Sequence, residues 1–380
     1  MENERKLLEL RDVSMSFVAK SGLLEGEKRL QVLRRVNLAI DEGEIVVVVG
    51  ESGCGKTTVG KIITGLLKPT SGRMIFNGRN LYSSSLLNKN KIELDEAAFE
   101  EEARGLSDRE RKAFFKRKRK EKAEEYRARI AEFENSVQFV QQDSYAALNP
   151  VRTIYQSLYA PIKNKYRKWT RAEADARIEE LLGLVGLAPA EQYLFKFPHQ
   201  LSGGQRQRIL MARAVSLEPK LIVADEPVSM IDVSLRLSIL DLMKELNRKL
   251  GLSFVYITHD LSTARYIAYH GRICVMYLGE IVEMGTVENV VASPRHPYTQ
   301  ALFGAVPIPD PELARKARPI RIKSMEVGNL SSRKDGCPFY PRCPYAREDC
   351  ENERFSYANH GDTKVLCKHL EEVPLWDAED

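Results

Sequence analysis

Leu8-Glu-Leu-Arg-Asp-Val-Ser-Met-Ser-Phe17 and Gln31-Val-Leu-Arg-Arg-Val-Asn-Leu-Ala-Ile40 alternate apolar and polar positions, the period of an antiparallel strand with one face buried. Asp41-Glu-Gly43 then turns the chain into Ile45-Val46-Val47-Val48-Val49, an unbroken apolar run suited to a strand covered on both faces. Arg73-Met-Ile-Phe-Asn-Gly78 reads as a short strand entering a turn, and Val137-Gln-Phe-Val140 as another strand. Leu221-Ile-Val-Ala224 and Ser253-Phe-Val-Tyr-Ile257 are buried parallel strands by the same pattern, with the amphipathic helix Val233–Leu250 between them. Ile154 to about Leu217 is rich in helix formers. Strand, helix and strand in this order predict an α/β domain with helices on both faces of a parallel sheet.

Three stretches interrupt that pattern. Ser21–Gly26 is a loop. Residues 86–134 hold Glu100-Glu-Glu102, Arg109-Glu-Arg-Lys112, Lys116-Arg-Lys-Arg-Lys-Glu-Lys122 and Glu124-Glu-Tyr-Arg, with opposite charges at i,i+3 and i,i+4 spacing. This predicts one or two solvated helices inserted into the domain. The basic run Lys116–Lys120 reads less well as a nucleic-acid contact, because acids flank it and no aromatic stacking platform is interleaved. Ser293–Asp310 is proline-rich and reads as a linker into a cysteine-bearing tail.

Composition changes this picture little. At 380 residues, with 43% hydrophobic and 29% charged residues, the chain is long enough for two or three compact units of an ordinary globular protein. No apolar segment approaches the ~20 residues that cross a bilayer, and the polar start lacks the look of a secretory signal. The expected compartment is the cytosol. A net charge of +5 permits contact with a membrane surface or nucleic acid and argues for neither.

The candidate chemistry starts directly after the valine run. Gly50-Glu51-Ser52-Gly53-Cys54-Gly55-Lys56-Thr57-Thr58 is a phosphate-binding loop in the required context, behind a buried strand and ahead of a helix. Its glycines let backbone N–H groups turn inward to phosphate oxygens, and Lys56 adds a point charge. Thr57 offers a hydroxyl to Mg²⁺, and the helix points its positive end at the anion. A glycine-rich hairpin turn would not explain Lys-Thr at a helix start.

Leu221-Ile-Val-Ala-Asp225-Glu226 sets two acids at a strand's carboxyl end. Asp225 suits Mg²⁺ held through its waters, and Glu226 is placed to take a proton from an attacking water. Leu201-Ser202-Gly203-Gly204-Gln205 opens a helix with a good N-cap and bare amides, a second anion site. As a lone motif it reads equally as a plain glycine loop. His259, in Thr258-His-Asp260, follows another strand end, where a neutral imidazole can contact a γ-phosphate and orient water.

Taken in order, these residues resemble the nucleotide-binding subunit of an ABC transporter, over almost the whole chain outside the insertion. The resemblance implies an α/β P-loop NTPase core with an antiparallel β subdomain, a helical subdomain and a C-terminal cysteine-bearing extension. The corresponding division is a nucleotide-binding domain over 1–290, with the insertion at about 86–134 and the helical subdomain at about 145–217, then an extension over 291–380. Lys56 and Asp225 are similar to the Walker A lysine and Walker B aspartate, and Glu226 to the catalytic glutamate. Leu201–Gln205 matches the signature motif. Gln142 resembles the glutamine that ligates Mg²⁺ and senses the membrane subunit, His259 the switch histidine, and Asp232 the D-loop aspartate. Phe17 stands where the family places an aromatic against adenine. Implied ligands are ATP and Mg²⁺.

Tyr145-Ala-Ala-Leu-Asn-Pro150, Pro198-His-Gln200, Ser293-Pro-Arg-His-Pro-Tyr-Thr299 and Gly336-Cys-Pro-Phe-Tyr-Pro-Arg-Cys-Pro-Tyr345 resemble the dipeptide/oligopeptide importer branch. The insertion departs from it. The branch implies an ATPase at the cytoplasmic face of the membrane that powers peptide uptake. Its implied partners are a second ATPase subunit, a paralogue, in a head-to-tail dimer, two membrane-embedded permease subunits and an extracytoplasmic binding protein. In such dimers each ATP lies between one subunit's Walker A and the other's signature loop. Oligosaccharide or nickel-chelate uptake are alternatives within the branch. A soluble ATPase acting on nucleic acid is disfavoured by the single domain and the absence of sustained heptads, so no nucleic-acid partner is expected.

Of six cysteines, Cys54 and Cys274 are isolated, while Cys337-x₅-Cys343-x₆-Cys350-x₁₆-Cys367 crowd the tail. A cytosolic cluster holds metal more readily than disulfides. Four thiolates suit [4Fe–4S] or Zn²⁺. The spacing lacks a Cys-x₂-Cys knuckle, and the branch implies an iron–sulfur cluster, with zinc second and free thiols third.

Overall fold

The computed structural model describes residues 6–20, 27–81, 99–306, 320–326, 328, 334–353 and 355–376. The alternating segments form two long antiparallel strands, β1 (Lys6–Lys20) and β2 (Glu27–Asp41), each of 15 residues. With β4 (Ser71–Phe76) and β5 (Arg79–Asn80) they make a four-stranded sheet in the order β2-β1-β4-β5. Leu8, Leu10, Val36, Leu38 and Ile40 are buried, as the alternation requires.

The apolar runs build the larger sheet. Here β3 (Ile45–Val49), β6 (Val137–Val140), β7 (Leu221–Asp225), β8 (Ser253–Thr258) and β9 (Arg272–Tyr277) run parallel, in the order β9-β3-β8-β7-β6. The period of two sorts their side chains into two cores. Val46, Val48, Val223, Val255 and Ile257 pack on α1 (Lys56–Ile63) and the antiparallel sheet. Val47, Val49, Ala224, Phe254 and Tyr256 face a helical layer that includes α7 (Gly203–Val215) and α8 (Val233–Leu250). Gly60 lets α1 lie close on the sheet, because a Cβ there would stand 2.7 Å from Ile257 Cδ1.

Between Val140 and the signature-like loop run α3 (Ser144–Ala147), α4 (Ile154–Lys165), α5 (Arg171–Leu184) and α6 (Glu191–Leu194). Thr153 and Thr170 cap α4 and α5 through capping boxes with Gln156 and Glu173.

The charged insertion is one 29-residue helix among the described residues, α2 (Asp108–Ser136), capped by Ser107, whose amide donates to Glu110 at 3.0 Å. Residues 82–98 lie outside the described residues, as does the loop read at Ser21–Gly26. The i,i+4 pairs Arg117–Glu121 (3.7 Å) and Lys120–Glu124 (3.8 Å) lie along its exposed length, and Arg111 and Lys118 reach back to Glu100 (2.6 Å) and Glu102 (2.8 Å) in the preceding segment. Its end is not solvated. Phe133 is 1% exposed and meets Phe76 edge-on at 5.3 Å, which anchors the helix to the antiparallel sheet just before β6.

The segment read as a proline-rich linker differs most from expectation. After α9 (Leu261–Ile267) and α10 (Val287–Ala292), which precede it, one helix occupies its described part, α11 (Pro297–Gly304), whose Pro297, Tyr298, Thr299 and Gln300 are buried; residues 307–310 lie outside the described residues. Buried Glu283, on β10 (Glu280–Thr286), accepts from the amides of Arg295 and His296, each at 2.8 Å, and fixes that helix start. The tail then adds β11 (Ala358–His360) and β12 (Thr363–Val365) beside β10, so the larger sheet reaches eight strands.

Candidate functional site

Parallel pairing puts the carboxyl ends of β3, β8, β7 and β6 along one edge, the edge where α/β sheets bind ligands. Each strand delivers one candidate group there: Lys56 follows β3, His259 follows β8, Asp225 ends β7 and Gln142 follows β6.

The loop Gly50–Thr58 curls over the end of β3. Gly50 is required by close approach, since a Cβ there would lie 2.2 Å from the Met276 carbonyl oxygen. Lys56, 6% exposed, donates from Nζ to the carbonyls of Gly50 at 2.8 Å and Glu51 at 2.9 Å. Cys54 is buried beneath it, and burial pushes its thiol up. Ser52, Gly53 and Thr57 are exposed, while Thr58 and Gly55 are half-buried. Gly279 secures the loop from the β9–β10 turn by donating its amide to the Cys54 carbonyl at 2.8 Å.

Asp225 is buried, and burial raises its carboxyl above the usual range. A hydrogen bond from Thr57 and the nearby charge of Lys56 oppose that rise. A carboxylate and a hydroxyl are thus side by side at the loop, a donor pair suited to a hard cation such as Mg²⁺. Glu226 leaves the strand with φ of 45°, a left-handed conformation that costs a non-glycine residue about 1 kcal/mol. Its amide still donates to Ile257 at 2.8 Å. The turn swings its carboxylate toward two neighbours: Oε2 accepts from Gln142 Nε2 at 2.9 Å, and Oε1 lies 2.8 Å from His259 Nδ1.

Ser202 caps α7, accepting from the Gln205 amide at 3.2 Å while Gln205 Oε1 accepts from the Ser202 amide at 3.0 Å. The cap leaves Gly203 and Gly204 at the helix start. Among the described residues no hydrogen bond joins Leu201–Gln205 to Gly50–Thr58. The signature-like loop instead neighbours the segment ending at Asp232: a Cβ on Gly203 would lie 3.7 Å from the Met230 carbonyl oxygen. Asp232 caps α8 without a side-chain hydrogen bond. Phe17 stands 39% exposed on β1, paired with Leu30, with no ring contact to the loop among the described residues.

Sequence reasoning gave no role to Arg206, Tyr298 or Arg342. Arg206 is buried, donates to the carbonyls of Pro198 at 3.0 Å and Leu201 at 2.6 Å, and lies 3.5 Å from the Tyr145 ring. Flanked by Gln205, Gln207 and Arg208, Arg206 carries no local sign that it is buried. Tyr298 and Arg342 both reach Glu51 from the tail. Their segments stood out only as branch-like sequence.

Cys337, Cys343, Cys350 and Cys367 all line one cavity of about 210 Å³. Burial pushes the Cys337 and Cys343 thiols up, Cys343 to about 11. Cys350 also stands within 4.8 Å of Asp349 and His369, and this is the only such group of three metal-binding side chains among the described residues.

A phosphate loop, a buried aspartate and a clasped glutamate at one sheet edge define a P-loop ATPase. Residues 33–229 match the ABC transporter family, and residues 282–350 match the oligopeptide/dipeptide transporter C-terminal region. The chain is 36% identical to the oligopeptide transport ATP-binding protein OppF of Salmonella typhimurium, over 93% of each chain. It is 35% identical to the dipeptide transport ATP-binding protein DppF of Haemophilus influenzae, over 98% of this chain and all of that one. Among solved structures, the ATP-binding cassette MJ0796, a dimer in a post-hydrolysis state with ADP and Pi, is 28% identical, with a TM-score of 0.53 over 74% of this chain and 98% of that one. The chain belongs to the ATP-hydrolysing, ATP-binding subunits of ABC transporters, in their oligopeptide/dipeptide branch. Among the described residues no helix is long and apolar enough to cross a membrane.

Proposed function

We propose that this chain hydrolyses MgATP at Gly50–Thr58 to power import of di- and oligopeptides through two membrane-embedded permease subunits. The clasp of Glu226 by Gln142 and His259 is the observation that carries the reading, because it gathers three strand ends around one carboxylate. Lys56 and the loop amides bind the phosphates, and Phe17 stacks on the base. Thr57, Gln142 and Asp225 would hold Mg²⁺, which would supply charge neutralisation on the phosphates. Glu226 accepts the proton of the attacking water, and His259 orients that water and meets the γ-phosphate. Ser202–Gln205 and Asp232 serve the phosphate loop of a second ATPase subunit, a paralogue in a head-to-tail dimer. An extracytoplasmic binding protein delivers the peptide, and the chain works at the cytoplasmic membrane face.

The tail thiols hold a [4Fe–4S] cluster in this reading. No three of these sulfurs lie within 4.8 Å of one another. A tetrahedral zinc with bonds of ~2.3 Å needs them about 3.8 Å apart. Thiolates on four separate irons accept wider spacing, and a cation offsets the burial that otherwise keeps the thiols protonated. When bound, the cluster supplies a covalent brace and a one-electron couple.

Purification from membranes and reconstitution into vesicles test the function. ATP-dependent peptide uptake with two multispanning partners is the expected result. Recovery with nucleic acid and no membrane partner would overturn it. Anaerobic protein should absorb in the visible, and a colourless chain with stoichiometric zinc rules the cluster out.

A further inference from the structure

Glu51, the second residue of the phosphate loop, has three attachments. Its carbonyl accepts from Lys56 Nζ at 2.9 Å. Its amide donates to Tyr298 Oη at 2.9 Å. Its carboxylate accepts from Arg342 Nη1, at 3.0 Å to Oε1 and 3.1 Å to Oε2. The first bond lies within the loop, whereas the other two come from the C-terminal region nearly 250 and 300 positions away.

Arg342 is held as firmly as the group it holds. Its side chain is 8% exposed, and it also donates to Tyr277 Oη at 3.2 Å and to the Ser324 carbonyl at 3.3 Å. It directly precedes Cys343, whose amide donates to the Phe339 carbonyl at 2.9 Å. Phe339 is fully buried and packs edge-on to Tyr277 and Tyr298. A short path therefore runs from the thiol cavity through Cys343, Arg342 and Glu51 to Lys56.

The charge on Glu51 gives this path a consequence. A half-buried carboxylate in a loop built for a polyanion repels that anion unless a cation neutralises it. Arg342 is the cation in place, and its bond also fixes the loop's first turn.

We propose that Arg342 is a positioning residue for the phosphate loop, and that occupancy of the four-cysteine cavity sets nucleotide affinity by holding Arg342 on Glu51. The proposal rests on the reading of the cavity as a metal centre. With the thiols linked to one centre, the turn Phe339–Cys343 is braced and Arg342 stays on Glu51. Without that brace the turn loosens, the hold of Arg342 on Glu51 weakens, and the negative charge of Glu51 beside the phosphate loop is less well compensated.

The test is fluorescence titration of the full chain with a fluorescent MgATP analogue, as purified and after chelator stripping of the metal. Arg342→Gln should weaken binding about tenfold, within the usual range of site-to-site coupling, with metal content and visible absorption unchanged. Arg342→Lys should recover part of that loss. Stripping should weaken the wild type by a similar factor and leave Arg342→Gln where it was. Glu51→Gln in the Arg342→Gln background should restore affinity toward wild type by removing the unpaired acid. Equal affinity of Arg342→Gln and wild type, or an equal further loss in both on stripping, overturns the proposal. A wild type purified without metal refutes the metal-centre reading and the coupling with it; the positioning role then stands or falls on the Arg342→Gln comparison.

Discussion

His259 Nδ1 lies 2.8 Å from Glu226 Oε1, while the other oxygen of the same carboxylate accepts from Gln142. The backbone turn at φ of 45° brings the carboxylate round, and groups from two other strand ends then hold it. Glutamine at this position keeps the shape and a hydrogen-bonding capacity and removes the base. Glu226→Gln should bind MgATP as tightly as wild type and hydrolyse it at least 100-fold more slowly, the low end of a general base's contribution. Phosphate release by the purified variant checks this, and turnover at the wild-type rate would remove Glu226 from the mechanism.

Asp225 and Thr57 form the donor pair nearest the loop. Asp225→Asn should erase most of the Mg²⁺ enhancement of ATP binding, by tenfold or more, while ATP affinity in chelator changes little. Titrations with and without Mg²⁺ separate the two, and a variant with full Mg²⁺ dependence would place the cation elsewhere.

The docked tail carries an acid sensitivity of its own. Burial holds the His296 imidazole down at about 3, and its Nδ1 accepts from the Tyr298 amide at 3.0 Å, a bond for the neutral ring. Its contribution to stability is full above 6.5 and is lost as pH falls from there toward about 3. Glu283 beside it runs the other way. Burial lifts it to about 7, so its contribution is full below 4.5 and is lost as pH rises through about 7. His296→Asn, which keeps a capping acceptor, should flatten the acid limb of melting temperature against pH and leave the upper limb to Glu283. An unchanged acid limb would contradict the assignment.

The insertion helix is anchored and not merely solvated. Phe133→Ala should cost roughly 3–5 kcal/mol in chemical denaturation, the range for buried aromatics, whereas Lys120→Ala should stay within about 0.5 kcal/mol. Equal effects of the two would mean that Phe133 is not part of the core.

How much of this was legible depended on whether a residue's partner lay nearby in sequence. Ile45–Val49 and Gly50–Thr58 announce a strand, a turn and a helix start through local pattern alone, and the structure follows them residue by residue. Val233–Leu250 likewise folds over the span its amphipathic period marks. The proline-rich segment misled, because Pro294 and Pro297 lie just before and at the start of α11, where a helix accepts proline, and its anchor, Glu283, comes from a preceding strand. Phe133 was hidden among charges, since one aromatic at a helix end carries no periodicity. The Arg342–Glu51 contact could not be read at all, because nothing local links a tail arginine to a glutamate in the phosphate loop.

The central claim is that Gly50–Thr58 is half of a site completed by a loop like Leu201–Gln205 on another subunit. Sedimentation of Glu226→Gln, alone and mixed with a paralogous ATPase subunit, tests it most directly. With MgATP the chain should sediment as a two-subunit species, and Ser202→Arg should abolish that species while leaving ATP binding intact. A chain that stays single with ATP bound, while the wild type hydrolyses at full rate as a single chain, would contradict the account.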